Sequence, residues 1–86
     1  MNDNNKSELI LNLDKLHITD LGIERIKRNL CLDVDDVVNW CRKKIKESNS
    51  CIARKGKNWY VNVTDYEITV NAYSYTIITA HKLKSK

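Results

Sequence analysis

The 86-residue sequence has no phenylalanine, no Cys-x-x-Cys pair and no apolar run near the roughly 20 residues that span a bilayer. Without phenylalanine, the core has to be built from Leu, Ile and Val with two Trp and four Tyr, so an aliphatic core is expected. Without closely spaced cysteines, a structural zinc site would need ligands gathered from distant positions, and no metal or other cofactor is expected. Cys31, Cys41 and Cys51 are odd in number, which argues against a disulfide framework and for a reducing compartment. The opening "MNDNNKSE" lacks a hydrophobic signal core, so a cytoplasmic protein with no membrane contact is expected.

A chain this short closes one core and leaves no room for a second. Residues 1–6 are expected to be disordered and residues 7–86 to form a single domain. The net charge of +4 is unevenly spread: residues 1–48 carry nine basic and nine acidic side chains, and residues 49–86 carry six and two. The whole excess lies in the second half, as Arg54, Lys55, Lys57, Lys82, Lys84 and Lys86 against Asp65 and Glu67. Such a surface suits a polyanionic partner, because lysine and arginine neutralise phosphates and release counterions.

Hydrophobic spacing divides the chain in two. Leu9, Ile10, Leu13 and Leu16 share one helical face after a candidate cap at Ser7, in a helix expected to end near His17. Thr19 is the expected cap of a second helix with Ile23, Ile26 and Leu30 as its stripe and Arg25 and Arg28 on one flank. Asp33 is the expected cap of a third, in which Val34, Val37, Val38, Cys41 and Ile45 line up. After Ser50 the period changes from 3.6 to 2. Strands are expected on either side of a turn at Lys55 to Lys57, where Gly56 supplies a positive φ, then over "YEITVNA" and "YTIITAHKL" after turns at Thr64–Asp65 and Ala72–Ser74. The fold class is α+β, with three N-terminal helices packed on one face of a three- to four-stranded antiparallel meander.

If Trp59, Val61, Ile68 and Val70 face the helices, Tyr60, Asn62, Thr69 and Asn71 face away. Taking Ile78 and Ala80 as inward places Tyr75, Ile77, Thr79 and His81 on that same open face. The opposite parity would bury a hydroxyl and an imidazole that then need partners. This inventory suits metal-independent RNA cleavage, which needs a base, an acid and cations beside the transferred phosphoryl group. His81 is the candidate acid or base, Thr79 and Tyr60 candidate relays or phosphate donors, and Arg54, Lys55 and Lys57 candidate charge stabilisers, while Tyr60 and Tyr75 are placed to stack bases. The plainer roles stand beside these. Exposed Tyr and Thr are strand formers, lysines around Gly56 keep a hairpin soluble, Arg25 and Arg28 pair with the aspartates of the third helix, His17 ends the first, and Trp40 packs.

From about Leu9 to Lys84 the chain resembles a family of small bacterial proteins grouped as a domain of unknown function. The segments that carry the resemblance are "GIERIKRNL", "DVDDVVNWC", "RKGKNWYVNV" and "ITVNAYSYTIITAHK". More distantly, the element order is similar to the barnase, EndoU, colicin and RelE-like group of RNase folds, whose members commonly cleave RNA without metal, frequently as toxins. That likeness implies Thr79 and His81 as site residues, with Arg25 and Arg28 on a helix and Lys57 and Tyr60 on the second strand. Related domains often carry a histidine about four residues before the helix arginine, where this chain has Leu21. The expected function is RNA binding, with Arg25, Arg28, Arg54, Lys55, Lys57, Asn62, Asn71, Tyr75 and Lys82 as contacts and His81, Thr79 and Tyr60 as the catalytic set. The alternative is a phage- or mobile-element-encoded interaction module that uses the basic face, or the acidic segment Asp33 to Asp36, to block a protein or nucleoprotein partner. A monomer or a homodimer is expected, the latter by pairing of an edge strand such as Cys51 to Arg54.

Overall fold

The computed structural model describes residues 8–47, 50–63 and 65–83. Residues 1–6, the cap at Ser7, Thr64, Lys84 and Lys86 lie outside them. Four residues, 8–11, are the described part of a first helix, α1, which tightens into a 3-10 turn at Leu13–Lys15. This helical segment ends before His17, which enters a strand-like bridge instead. The Leu13 carbonyl accepts from the Leu16 amide at 3.2 Å and also from Arg42 Nε at 3.1 Å, which ties this helical end to the third helix.

Helix α2 spans Asp20–Leu30, and Thr19 Oγ1 accepts from the Gly22 amide at 3.0 Å, as its spacing predicts. It stops where Cys31 adopts φ 53 and the Leu32 amide reaches back to the Lys27 carbonyl at 3.0 Å. Helix α3 spans Val37–Lys46, and its cap is Asp36, whose Oδ1 accepts from the Asn39 amide at 3.0 Å, rather than Asp33. The helix starts late because Leu32 and Val34 are drawn against the core. That packing keeps the chain out of a helix until Asp36.

Four antiparallel strands follow: β1 Cys51–Lys55, β2 Asn58–Val63, β3 Tyr66–Asn71 and β4 Ile77–Lys82, in the sheet order β1-β2-β3-β4. Gly56, at φ 59, makes the first turn. Asn71 makes the last, its Oδ1 accepting from the Tyr73 and Ser74 amides, each at 2.9 Å.

Trp59, Val61, Val63, Ile68, Val70, Ile77 and Ala80 join Leu9, Leu13, Leu16, Ile26, Leu30, Val37, Cys41 and Ile45 in one buried cluster. Helical and strand halves therefore share a single core, aliphatic apart from Trp59 and Cys41. The last strand departs from simple alternation. A bulge between Thr69 and Val70 moves the pairing from Thr69 with Thr79 to Val70 with Ile77. Ile77 is buried as a result and Ile78 is exposed, the reverse of the expected parity, while Ala80, Thr79 and His81 keep theirs.

Candidate nucleic-acid interface

The register sorts the side chains opposite the core into cross-strand rows. One row runs Cys51, Asn62, Glu67, His81, and the next Ala53, Tyr60, Thr69, Thr79. A third holds Lys55, Asn58 and Asn71. Five of the sequence candidates, His81, Thr79, Tyr60, Asn62 and Lys55, therefore share this polar face. Thr69 shares it too but is buried, hemmed in by Tyr60 and Thr79 of its own row. Asn71 lies at its end, with its carbonyl oxygen occupied by the turn. Asn58 Nδ2 donates to the Tyr60 hydroxyl at 3.4 Å and steadies the ring at the centre of the face.

Two expected members are elsewhere. Tyr75 adopts φ 61, which breaks the strand alternation, and its ring packs 5.3 Å from buried Trp59 on the core side. Burial is the first cause that raises its hydroxyl pKa, followed by the nearby Glu8 carboxylate. Arg54 pairs with Trp59 in register, so it also leaves the polar face; its guanidinium lies 5.8 Å from the Trp59 ring and 5.4 Å from the Tyr73 ring. Lys82, paired with Tyr66, is exposed one residue out of phase with His81. Lys57 lies in the turn before β2 rather than on it.

Arg25 and Arg28 are both exposed on α2 and, among the described residues, neither makes the expected ion pair with the aspartates before α3. Asn29, on the same helix, donates to the Ala80 carbonyl of β4 at 3.3 Å. Arg25 is one turn before Asn29 on the same flank of α2. Trp40 packs edge-on against Tyr66 at 5.5 Å with Lys44 over both rings, in line with its structural role.

Glu67, absent from the sequence candidates, is the partner of His81: its Oε1 lies 3.6 Å from Nε2. The two are 25% and 46% exposed, so water weakens the attraction and the pair contributes about 1 kcal/mol or less to stability. At 3.6 Å the contact is longer than a hydrogen bond, so Glu67 places a carboxylate beside the imidazole without fixing which ring nitrogen carries the proton. The signal for Glu67 was its shared parity with His81 across the 72–74 turn.

Lys55, the lysine of this face, does not converge on this pair. Three strand spacings and two rows separate Lys55 from His81, a diagonal of about 20 Å. The face is a track with an imidazole–carboxylate pair at one corner and the Lys55 ammonium at the other.

A second polar cluster lies at the outer edge of β4, and it includes the other histidine. The His17 amide donates to the Tyr75 carbonyl at 3.1 Å and the Ile77 amide to the His17 carbonyl at 2.8 Å, a parallel bridge. His17 Nε2 lies 2.8 Å from Thr76 Oγ1, which lies 2.8 Å from Ser74 Oγ; His17 Nδ1 is 3.1 Å from the Lys15 carbonyl. With Nδ1 donating to that carbonyl, Nε2 accepts from Thr76. His17 is thus a clasp on β4, and nothing local in the sequence announces a contact 59 residues away. Among the described residues no three metal-ligating side chains gather, and no helix is long and apolar enough to cross a membrane.

No curated protein and no solved structure matches the chain. A family model described as "Protein of unknown function (DUF3781)" matches residues 10–81, a span that includes both histidines and every strand up to His81. The chain is therefore a member of the DUF3781 family.

Proposed function

We propose that this chain binds single-stranded RNA across the polar face of its sheet, with the three helices packed together on the other face. The observation that carries the reading is the row geometry: Tyr60 stands in the middle row of the polar face, between Asn62 and Asn58, with His81 and Lys55 at opposite corners. An extended strand laid along that diagonal meets a stacking ring, amides that read base edges, and cations for its phosphates. The sequence-level likeness to the barnase, EndoU, colicin and RelE-like group points the same way.

His81 and Glu67 add a route to metal-independent cleavage. The His81 imidazole takes the 2′-hydroxyl proton, the 2′-oxygen attacks phosphorus, the bond to the 5′-oxygen breaks, and solvent water protonates that oxygen, leaving a 2′,3′-cyclic phosphate. Positioned proton transfer contributes about 10²- to 10⁴-fold, and charge stabilisation is usually the larger share of catalysis. With Lys55 about 20 Å from His81 and Lys82 out of phase with the polar face, the second share is small, so binding with slow turnover is the expected behaviour.

Titration of a labelled mixed-sequence RNA tests the reading. Tyr60→Ala is expected to weaken binding by about 1–3 kcal/mol, the worth of one stacked base, while Lys43→Ala on α3 leaves it unchanged. Equal affinity of Tyr60→Ala and the parent protein, or no binding at low salt, contradicts it. The same incubations without metal, analysed for cyclic phosphate ends with His81→Ala as control, separate cleavage from binding. The competing interaction module keeps Asp33 and Asp35 exposed but shares Asp36 with the α3 cap. A stable protein complex that survives Tyr60→Ala would favour it.

A further inference from the structure

The two outer edges of the sheet are treated differently. β4 is shielded: His17 pairs with Thr76 at its start and Asn29 holds the Ala80 carbonyl further along. β1 is the opposite edge, and among the described residues no backbone group outside β2 bonds to it. Charge blunts this edge only at its turn end, where Arg54 and Lys55 stand. The chain has no proline, the β1–β2 register runs unbroken from Cys51 to Lys55, and Cys51, Ile52 and Ala53 carry no charge.

We propose that β1 pairs antiparallel with β1 of a second copy, about a two-fold axis at Ala53. That register is self-complementary. It sets Ala53 against Ala53 of the partner subunit, Ile52 against Arg54 of the partner subunit, and Cys51 against Lys55 of the partner subunit. Each cation then faces an uncharged side chain, so no like charges stand directly opposite. The small Ala53 at the axis lets the backbones close without a clash.

The pairing also completes the polar face. Residues directly opposite across antiparallel strands point to the same side of the sheet, so the two polar faces merge into one eight-stranded surface. The row His81, Glu67, Asn62, Cys51 continues into Lys55 of the partner subunit. A cation that lies two rows away within one copy thereby enters the same row as the His81–Glu67 pair. The value of this longer track for RNA rests on the function proposed above; the pairing itself does not.

Two measurements made without RNA test the dimer. Light scattering after gel filtration at high micromolar concentration is expected to give twice the 10.0 kDa chain mass, and Ala53→Asp, which opposes two carboxylates at the axis, to give the single-chain mass with unchanged circular dichroism. In a Cys31→Ser, Cys51→Ser background, Ala53→Cys is expected to form a disulfide-linked dimer on mild oxidation, since both classes of antiparallel pair bring Cα atoms within bridging range. Asn62→Cys, one strand further in, is expected not to. A native protein that stays at the single-chain mass, or a dimer indifferent to Ala53→Asp, overturns the pairing. RNA binding lost on Tyr60→Ala or found absent bears on the functional reading alone.

Discussion

Cys41 is the most buried of the three thiols, fully enclosed where α3 meets the core, and burial pushes its pKa up to about 12. Cys31 and Cys51 are exposed. A thiol-reactive dye is therefore expected to label two cysteines quickly in native protein and the third only on unfolding; three fast thiols would contradict the packing. The shift has a thermodynamic sign as well. With an ordinary value of 9.0 in the unfolded chain and about 12 in the fold, the contribution is fully present below pH 9 and is lost as pH rises from there to 12. Alkaline melts should show a smaller loss of stability between those limits in Cys41→Ala than in the parent, although Cys41→Ala starts lower from the cavity it leaves. Equal alkaline slopes would mean that Cys41 is wetter than the packing indicates.

Among the elements, the ends of α2 and α3 carry the sharpest expectations. Cys31 sits in the left-handed region at φ 53 and is exposed, a position where glycine has no Cβ to strain. Cys31→Gly is expected to raise stability by about 1 kcal/mol in urea titrations, and a loss would contradict the observed cap. Asp36→Ala should cost about 1 kcal/mol, whereas Asp33→Ala should be near neutral. The sequence placed this cap three residues early, because an acidic run offers several equivalent caps and only the tertiary pull on Leu32 and Val34 chooses among them. The same limit explains the last strand. Alternation identified Trp59, Val61, Ile68 and Val70 correctly because local period decides them, but "TIIT" is apolar at both parities. The bulge at Thr69 and Val70, which buries Ile77 and exposes Ile78, is a choice made by the neighbouring strand.

For the whole molecule, the distribution of charge matters more than its total. The basic half was evident from counting, yet Arg54 turned out to stack over Trp59 and Tyr73, Lys55 lies at the corner away from His81, and Lys82 follows His81 one residue out of phase with the polar face. Long-range register, which a single sequence does not display, decided this. It also decided that Glu67 faces His81 and that His17 serves β4. If RNA follows the diagonal, Lys55→Ala should lower the dependence of log affinity on log salt by about 0.7, the share of one phosphate contact on a single strand. An unchanged slope would place the phosphates elsewhere.

The most direct test of the central claim is a nuclear magnetic resonance titration of labelled protein with a single-stranded oligoribonucleotide, read at the side chains. The account predicts that the Tyr60 ring, the Asn62 amide and the His81 imidazole shift and saturate together, while the Trp40 indole on α3 stays in place. Shifts confined to the helices, or none on the polar face at saturating RNA, would contradict it.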